Sequence, residues 1–135
     1  MDSPESWAAL CLRVACGVVF VAHGLPILTG REQRGVTRER LRGAIEAMGF
    51  PFPPLLTYAV GVVELLGGFL LLVGLASAWT AGVLAAVMVV ATFWLQKKEG
   101  FALGSDFPFT LLLVLLALVF LGDGRFSLMG LAGWQ

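Results

Sequence analysis

The chain has 135 residues, 59% of them apolar and 13% charged, with nine basic residues balancing nine acidic ones. At a mean hydropathy of +0.91, it carries too little charge to cover the large relative surface of a small water-soluble domain. Its zero net charge also excludes the basic field that nucleic acid requires, so no nucleic-acid partner is expected.

Most of the charge falls in two blocks, Arg31 to Glu46 and Lys97 to Asp106. Between and around them lie four apolar stretches, at residues 7–28, 55–75, 78–95 and 107–121. Hydrocarbon about 30 Å thick takes roughly 20 residues of helix. The last two stretches are shorter and are expected to extend into their flanks. In lipid the backbone must pair with itself, as helices or as a closed barrel. The run LLLVLLALVFL at 111–121 lacks the alternation of a barrel strand. The reading is an all-α membrane protein, one domain over 1–135, built as an antiparallel bundle of four transmembrane helices.

The first span starts near Trp7, whose amphipathic ring suits a membrane interface, and ends near Pro26. Asp2 and Glu5 stand where a signal peptide would carry Lys or Arg, and the apolar run is too long for one, so the span is read as retained. In the stretch 35–50, Leu41, Ile45 and Met48 recur at helical spacing, with Arg38, Glu39, Arg42 and Glu46 around them. That pattern predicts a short amphipathic helix on the cytoplasmic surface, its arginines available to lipid phosphates. Its bland alternative is a solvated loop helix without a ligand. The PFPP run at 51–54 is expected to be non-helical and to redirect the chain into the second span.

Gly61 and Gly68 share one face of the second span, with Gly67 and Gly74 beside it, and Ala78, Ala81, Ala85 and Thr92 form a similar stripe on the third. Small residues let membrane helices approach closely. The short connection 74–77 predicts an antiparallel hairpin, and Ser105 or Asp106 is expected to cap the fourth span. The glycine-rich tail after Gly122 offers Phe126 and Trp134 to the outer interface. Arg31, Arg34, Arg38, Arg40, Arg42, Lys97 and Lys98 lie in the loops after the first and third spans, against Arg125 alone on the other side. By the positive-inside rule the basic loops are cytoplasmic and both termini outside.

An ionisable residue in lipid is costly, which makes it a candidate for function. Arg13 and Glu64 lie within the first and second spans. At 1.5 Å per residue they sit roughly 10 and 16 Å below the outer surface, so an Arg13–Glu64 ion pair is expected inside the bundle. Such a pair can equally do no more than set helix register. Arg13, Cys16, Phe20 and His23 follow 3-4-3 spacing and share one stripe, expected to face inward. His23, Gln96 and Asp106 fall at similar depth near the cytoplasmic mouth. Together they can bind a polar head such as a quinone ring, or relay protons toward Glu64. The structural alternatives are a histidine bonded to a carbonyl and an aspartate that only caps.

One histidine cannot supply both axial ligands to a haem, and no cluster has metal-ligand spacing. Cys11 and Cys16 are about 140° apart on one helix and cannot pair with each other. No Walker or Rossmann glycine pattern appears. No intrinsic cofactor or metal is expected, and any electrons would travel on a bound quinone or a partner subunit.

The segment RVACGVVFVAHGLPIL (13–28) resembles the first-helix signature of DoxX-like (DoxX/DoxD) membrane proteins, an arginine, an apolar run and HGLPK. GFPFPP (49–54), VELLGGFLLLVGL (63–75) and GDGRFSL (122–128) extend the resemblance over nearly the whole chain, the last close to the family's GPGRYSLD. Gln96 stands where the family often has histidine, Ile27 replaces the lysine of HGLPK, and Met129 the aspartate after SL. The resemblance implies a four-helix protein of the bacterial cytoplasmic (inner) membrane that serves an oxidoreductase complex, as relatives do with thiosulfate:quinone oxidoreductase. It also implies that Arg13, His23 and Glu64 match the family's polar residues, with Asp106 where relatives often have glutamate at the start of the fourth helix. The leading reading is a membrane subunit that docks redox partners and binds quinone at an Arg/Glu/His site. Its alternatives are a homo-oligomeric, proton-coupled transporter built around Glu64, and a purely structural assembly subunit.

Overall fold

Ser3 accepts a bond from the Ser6 amide and, with Pro4 in the first turn, starts α1 (Pro4–Thr29). The structure is a computed structural model that describes residues 3–31 and 37–134, apart from the side chain of Leu103. Asp2, Arg34 and the expected helix start at Gly35 lie outside the described residues. After α1 come α2 (Arg38–Ala47), α3 (Pro53–Val73), α4 (Ser77–Glu99), a wide helical turn (Phe101–Ser105), α5 (Asp106–Leu121) and the one-turn α6 (Leu128–Leu131). All the described regular structure is helical.

Two proline expectations are corrected. Pro26 lies inside α1, which runs on to Thr29 and ends at Gly30 in the left-handed conformation. Pro53 and Pro54 form the first turn of α3, where the absent N–H groups have no helical partner to lose. Phe52, with φ of 52°, makes the sharp entry that the sequence assigned to the whole proline run.

α1, α3 and α4 are long and apolar enough to cross a membrane; α5, at 16 residues, is the shorter apolar helix. Their outer faces carry large exposed apolar side chains, among them Val18, Leu66, Phe93 and Phe120. This is an inside-out distribution suited to lipid. The interior is formed by Cys16, Phe20, Leu71, Leu84, Leu115 and Leu118. α1 packs most extensively on α3 and α4 on α5, while α3–α4 and α1–α5 contacts join the two pairs.

Lipid tails compete for apolar contact, so helices associate here through close backbone approach and polar links. Glycines supply the approach. A Cβ on Gly17 or Gly68 would stand within 3 Å of the facing helix's backbone, and one on Gly24 would meet the Leu65 amide at 2.5 Å. These contacts set the antiparallel register of α1 and α3, Gly17 beside Gly68 and Gly24 beside Gly61. Gly67 faces Leu84 and fixes α3 against α4.

α2 is the amphipathic helix expected from its spacing, with Leu41, Ile45 and Met48 turned inward and Glu39, Arg42 and Glu46 exposed. Arg38 departs from expectation. Its guanidinium donates to the Ile27 and Leu28 carbonyls at 2.8 and 2.7 Å and lies 4.8 Å from the Tyr58 ring centroid. It is turned inward onto the orphan carbonyls at the end of α1, where the helix dipole favours a cation. Arg38→Ala should therefore loosen α2 and cost about 2 kcal/mol, with Arg38→Lys in between because lysine lacks the planar fork. Faster amide exchange confined to α2 and the end of α1 would report it; unchanged exchange would contradict the tether.

Arg40 lies 3.5 Å from Glu99, which places α2 and the end of α4 at one basic end of the bundle.

Candidate functional site

The inward stripe of α1 forms as its spacing predicts: Arg13, Cys16 and Phe20 are buried and His23 half-buried. The two ends of that stripe serve different surroundings.

At the end opposite the basic loops, Arg13 donates to the Phe126 carbonyl, packs against Gly74 and Ser127, and feels the charge of Asp123. Asp123 accepts from the Ser77 amide at 2.8 Å, placing a carboxylate at the N-terminus of α4. Ser127 accepts from Gly130 and opens α6, while the Phe126 ring lies 4.5 Å from Trp7. The GDGRFSL segment thus folds over the α3–α4 turn and is anchored there by Arg13.

The expected Arg13–Glu64 ion pair is not formed. A side-chain ion pair forms elsewhere, between Arg40 and Glu99. Glu64 lies ten residues before Gly74 on α3, roughly 15 Å along the axis from the turn that Arg13 contacts. The helix ends are not flush, as the depth estimate for the two residues requires. α1 begins three residues earlier than expected and overhangs α3, with residues 122–131 filling the step.

Glu64 instead lines an open-mouthed cavity of about 550 Å³ formed by residues of α1, α2, α3, α4 and α5. Its side chain is 7% exposed, and one carboxylate oxygen is buried without a hydrogen-bond partner. A buried carboxyl in that state has unmet hydrogen-bonding capacity, and the cavity is where a partner can enter. His23 lines the same cavity; its Nδ1 is 2.8 Å from the Val19 carbonyl and its ring stacks on Phe107 at 5.8 Å. The remaining deep wall is apolar, formed by side chains such as Phe20, Ile45, Met88 and Leu111. Toward the basic end the lining becomes polar, with Thr37, Arg40, Lys98 and Glu99.

Of the five residues expected to form the polar site, Glu64 and His23 therefore share the cavity, and Arg13 lies outside it. Gln96 is exposed on α4. Asp106 is exposed as the first residue of α5 and accepts from the Phe107 amide at 2.9 Å, while Ser105 holds the cap position without a side-chain bond. The convergence of His23, Gln96 and Asp106 is corrected accordingly, since two of the three face outward. Trp94 and Phe107, which line the cavity, were missed: nothing separates them by composition from the lipid-facing aromatics. Among the described residues no three His, Cys, Asp or Glu side chains come together as a metal site would need.

The family profile described as DoxX matches residues 8–97, which hold Arg13, His23, Glu64 and Gln96. A protein of Bacillus subtilis (strain 168) named "Putative oxidoreductase CatD" is 30% identical over 124 residues, 91% of this chain and 85% of that protein. No solved structure matches the chain. Two findings agree, a family profile covering most of the chain and a relative aligned along nearly all of it: the chain belongs to the DoxX family.

Proposed function

We propose that this protein is a membrane subunit of an oxidoreductase-type complex and binds a quinone-type ring in the Glu64–His23 cavity. The observation that carries the reading is the cavity itself: an apolar chamber with one buried, unpartnered carboxyl and one imidazole at its deep end. Such a site suits a lipophilic molecule with a small polar head, because a few placed polar groups orient it while apolar walls exclude water. The oxidoreductase name of the Bacillus subtilis relative supports a redox setting. The chain's own residues bind and orient the ring and supply hydrogen-bonding groups to it; electrons are delivered by partner subunits docked on the basic end.

In this reading the chain crosses the cytoplasmic membrane four times. α5 makes the fourth crossing with the help of the preceding helical turn, giving a helical stretch over 101–121, long enough for the hydrocarbon. The basic end, with α2, faces the cytoplasm.

Glu64→Leu tests the site. No protein partner of Glu64 is lost, so the variant should insert and fold. In lipid nanodiscs its affinity for 1,4-dihydroxynaphthalene should fall at least tenfold. Affinity equal to that of the unaltered protein would remove the cavity from the function.

A further inference from the structure

Resting on the quinone-site reading above, we infer that the cavity selects the reduced, dihydroxy form of its ring ligand over the oxidised, dicarbonyl form. The balance of donors and acceptors at the deep end decides the preference. His23 Nδ1 lies 2.8 Å from the Val19 carbonyl. A carbonyl only accepts, so Nδ1 carries the proton, and the neutral imidazole presents Nε2 as an acceptor. With Nδ1 turned to its own helix, the Nε2 edge projects away from the α1 backbone, and the ring lines the cavity.

Glu64 adds the second acceptor. Whether ionised or not, a carboxyl keeps at least one accepting oxygen and offers no more than one donor. The α1–α3 register places Gly24 against Gly61 and Leu65, so His23 and Glu64 stand at nearly the same level. Other lining groups with N–H or O–H donors, Trp94, Thr37, Arg40 and Lys98, belong to the basic end. Gly67 against Leu84 puts Val87 near the level of Glu64, and Trp94 is seven residues farther along α4, roughly 10 Å.

With the imidazole neutral, the deep end therefore offers two acceptors and at most one donor. A dihydroxy ring donates to both. A dicarbonyl ring has no donor, leaves Nε2 unmet, and buries acceptor against acceptor. Discrimination by an unpaired buried group is stronger than discrimination by shape alone.

The test uses the full chain in nanodiscs, anaerobically, with 1,4-naphthoquinone and 1,4-dihydroxynaphthalene as probes and empty nanodiscs as the blank. The diol is expected to bind at least tenfold tighter, raising the midpoint potential of the bound two-electron couple by about 30 mV or more. His23→Phe keeps an aromatic ring for Phe107 and lacks the acceptor, so the ratio should fall close to one while naphthoquinone still binds. Equal or tighter binding of the quinone by the unaltered protein overturns the inference, as does a preference that survives His23→Phe. Binding of neither probe overturns the quinone-site reading itself.

Discussion

Gly24→Ala is expected to destabilise the bundle by about 3 kcal/mol, the opposite sign from an ordinary helix-interior glycine replacement. The added methyl would stand 2.5 Å from the Leu65 amide nitrogen and 2.8 Å from the Gly61 carbonyl oxygen. Both are backbone atoms of a packed helix, so no rotamer change relieves the clash, and α1 must separate from α3. Separation is costly in lipid because association there rests on close contact. Gly82 is the control. It is exposed on α4 and a methyl there meets nothing within 4 Å, so Gly82→Ala should be neutral or stabilise by up to about 1 kcal/mol. Reversible unfolding of the three proteins in one detergent reads both signs. Equal effects at the two positions would mean that α1 and α3 do not meet in this register.

That register marks the boundary of what the amino-acid order discloses. The apolar stretches located α1, α3, α4 and α5 to within a few residues, because lipid demands long uninterrupted helices. The small-residue faces around Gly61 and Gly68 were legible for the same reason. The vertical alignment of α1 on α3 was not. It depends on which glycine meets which, and Gly17, Gly24, Gly61 and Gly68 allow several alignments by spacing alone. An error of one or two turns moved Arg13 from Glu64 to Phe126.

The site was legible in part for a related reason. Glu64 and His23 stood out because ionisable groups are rare in apolar spans, and the cavity contains both. Gln96 and Asp106 were grouped with them by depth, which carries no information about direction around the helix; both face outward. The role of α2 was half visible. Its apolar stripe of Leu41, Ile45 and Met48 indicated a surface to be covered, and that surface is the cavity rather than lipid alone. Arg38 shows why charge counts mislead, since one of the arginines assigned to phosphates caps carbonyls of the protein's own backbone.

Removing Arg13 should cost about 2 to 4 kcal/mol and leave the cavity's ligand affinity unchanged. The Arg13 side chain is 1% exposed and donates to the Phe126 carbonyl, so Arg13→Ala leaves a buried carbonyl without its charged donor and a void beside Gly74. The GDGRFSL fold-back should loosen first. Trp7 and Phe126, whose rings are 4.5 Å apart, offer the readout, as a shift in Trp7 emission against a Trp7→Phe reference. Arg13→Lys should recover part of the loss, since lysine supplies a point charge but not the guanidinium plane. A double-mutant cycle with Glu64→Gln separates this account from the ion pair expected from spacing. Sites this far apart with no shared partner add, to within about 0.5 kcal/mol. A coupling well above 1 kcal/mol would instead bring Arg13 and Glu64 together and return Arg13 to the binding site.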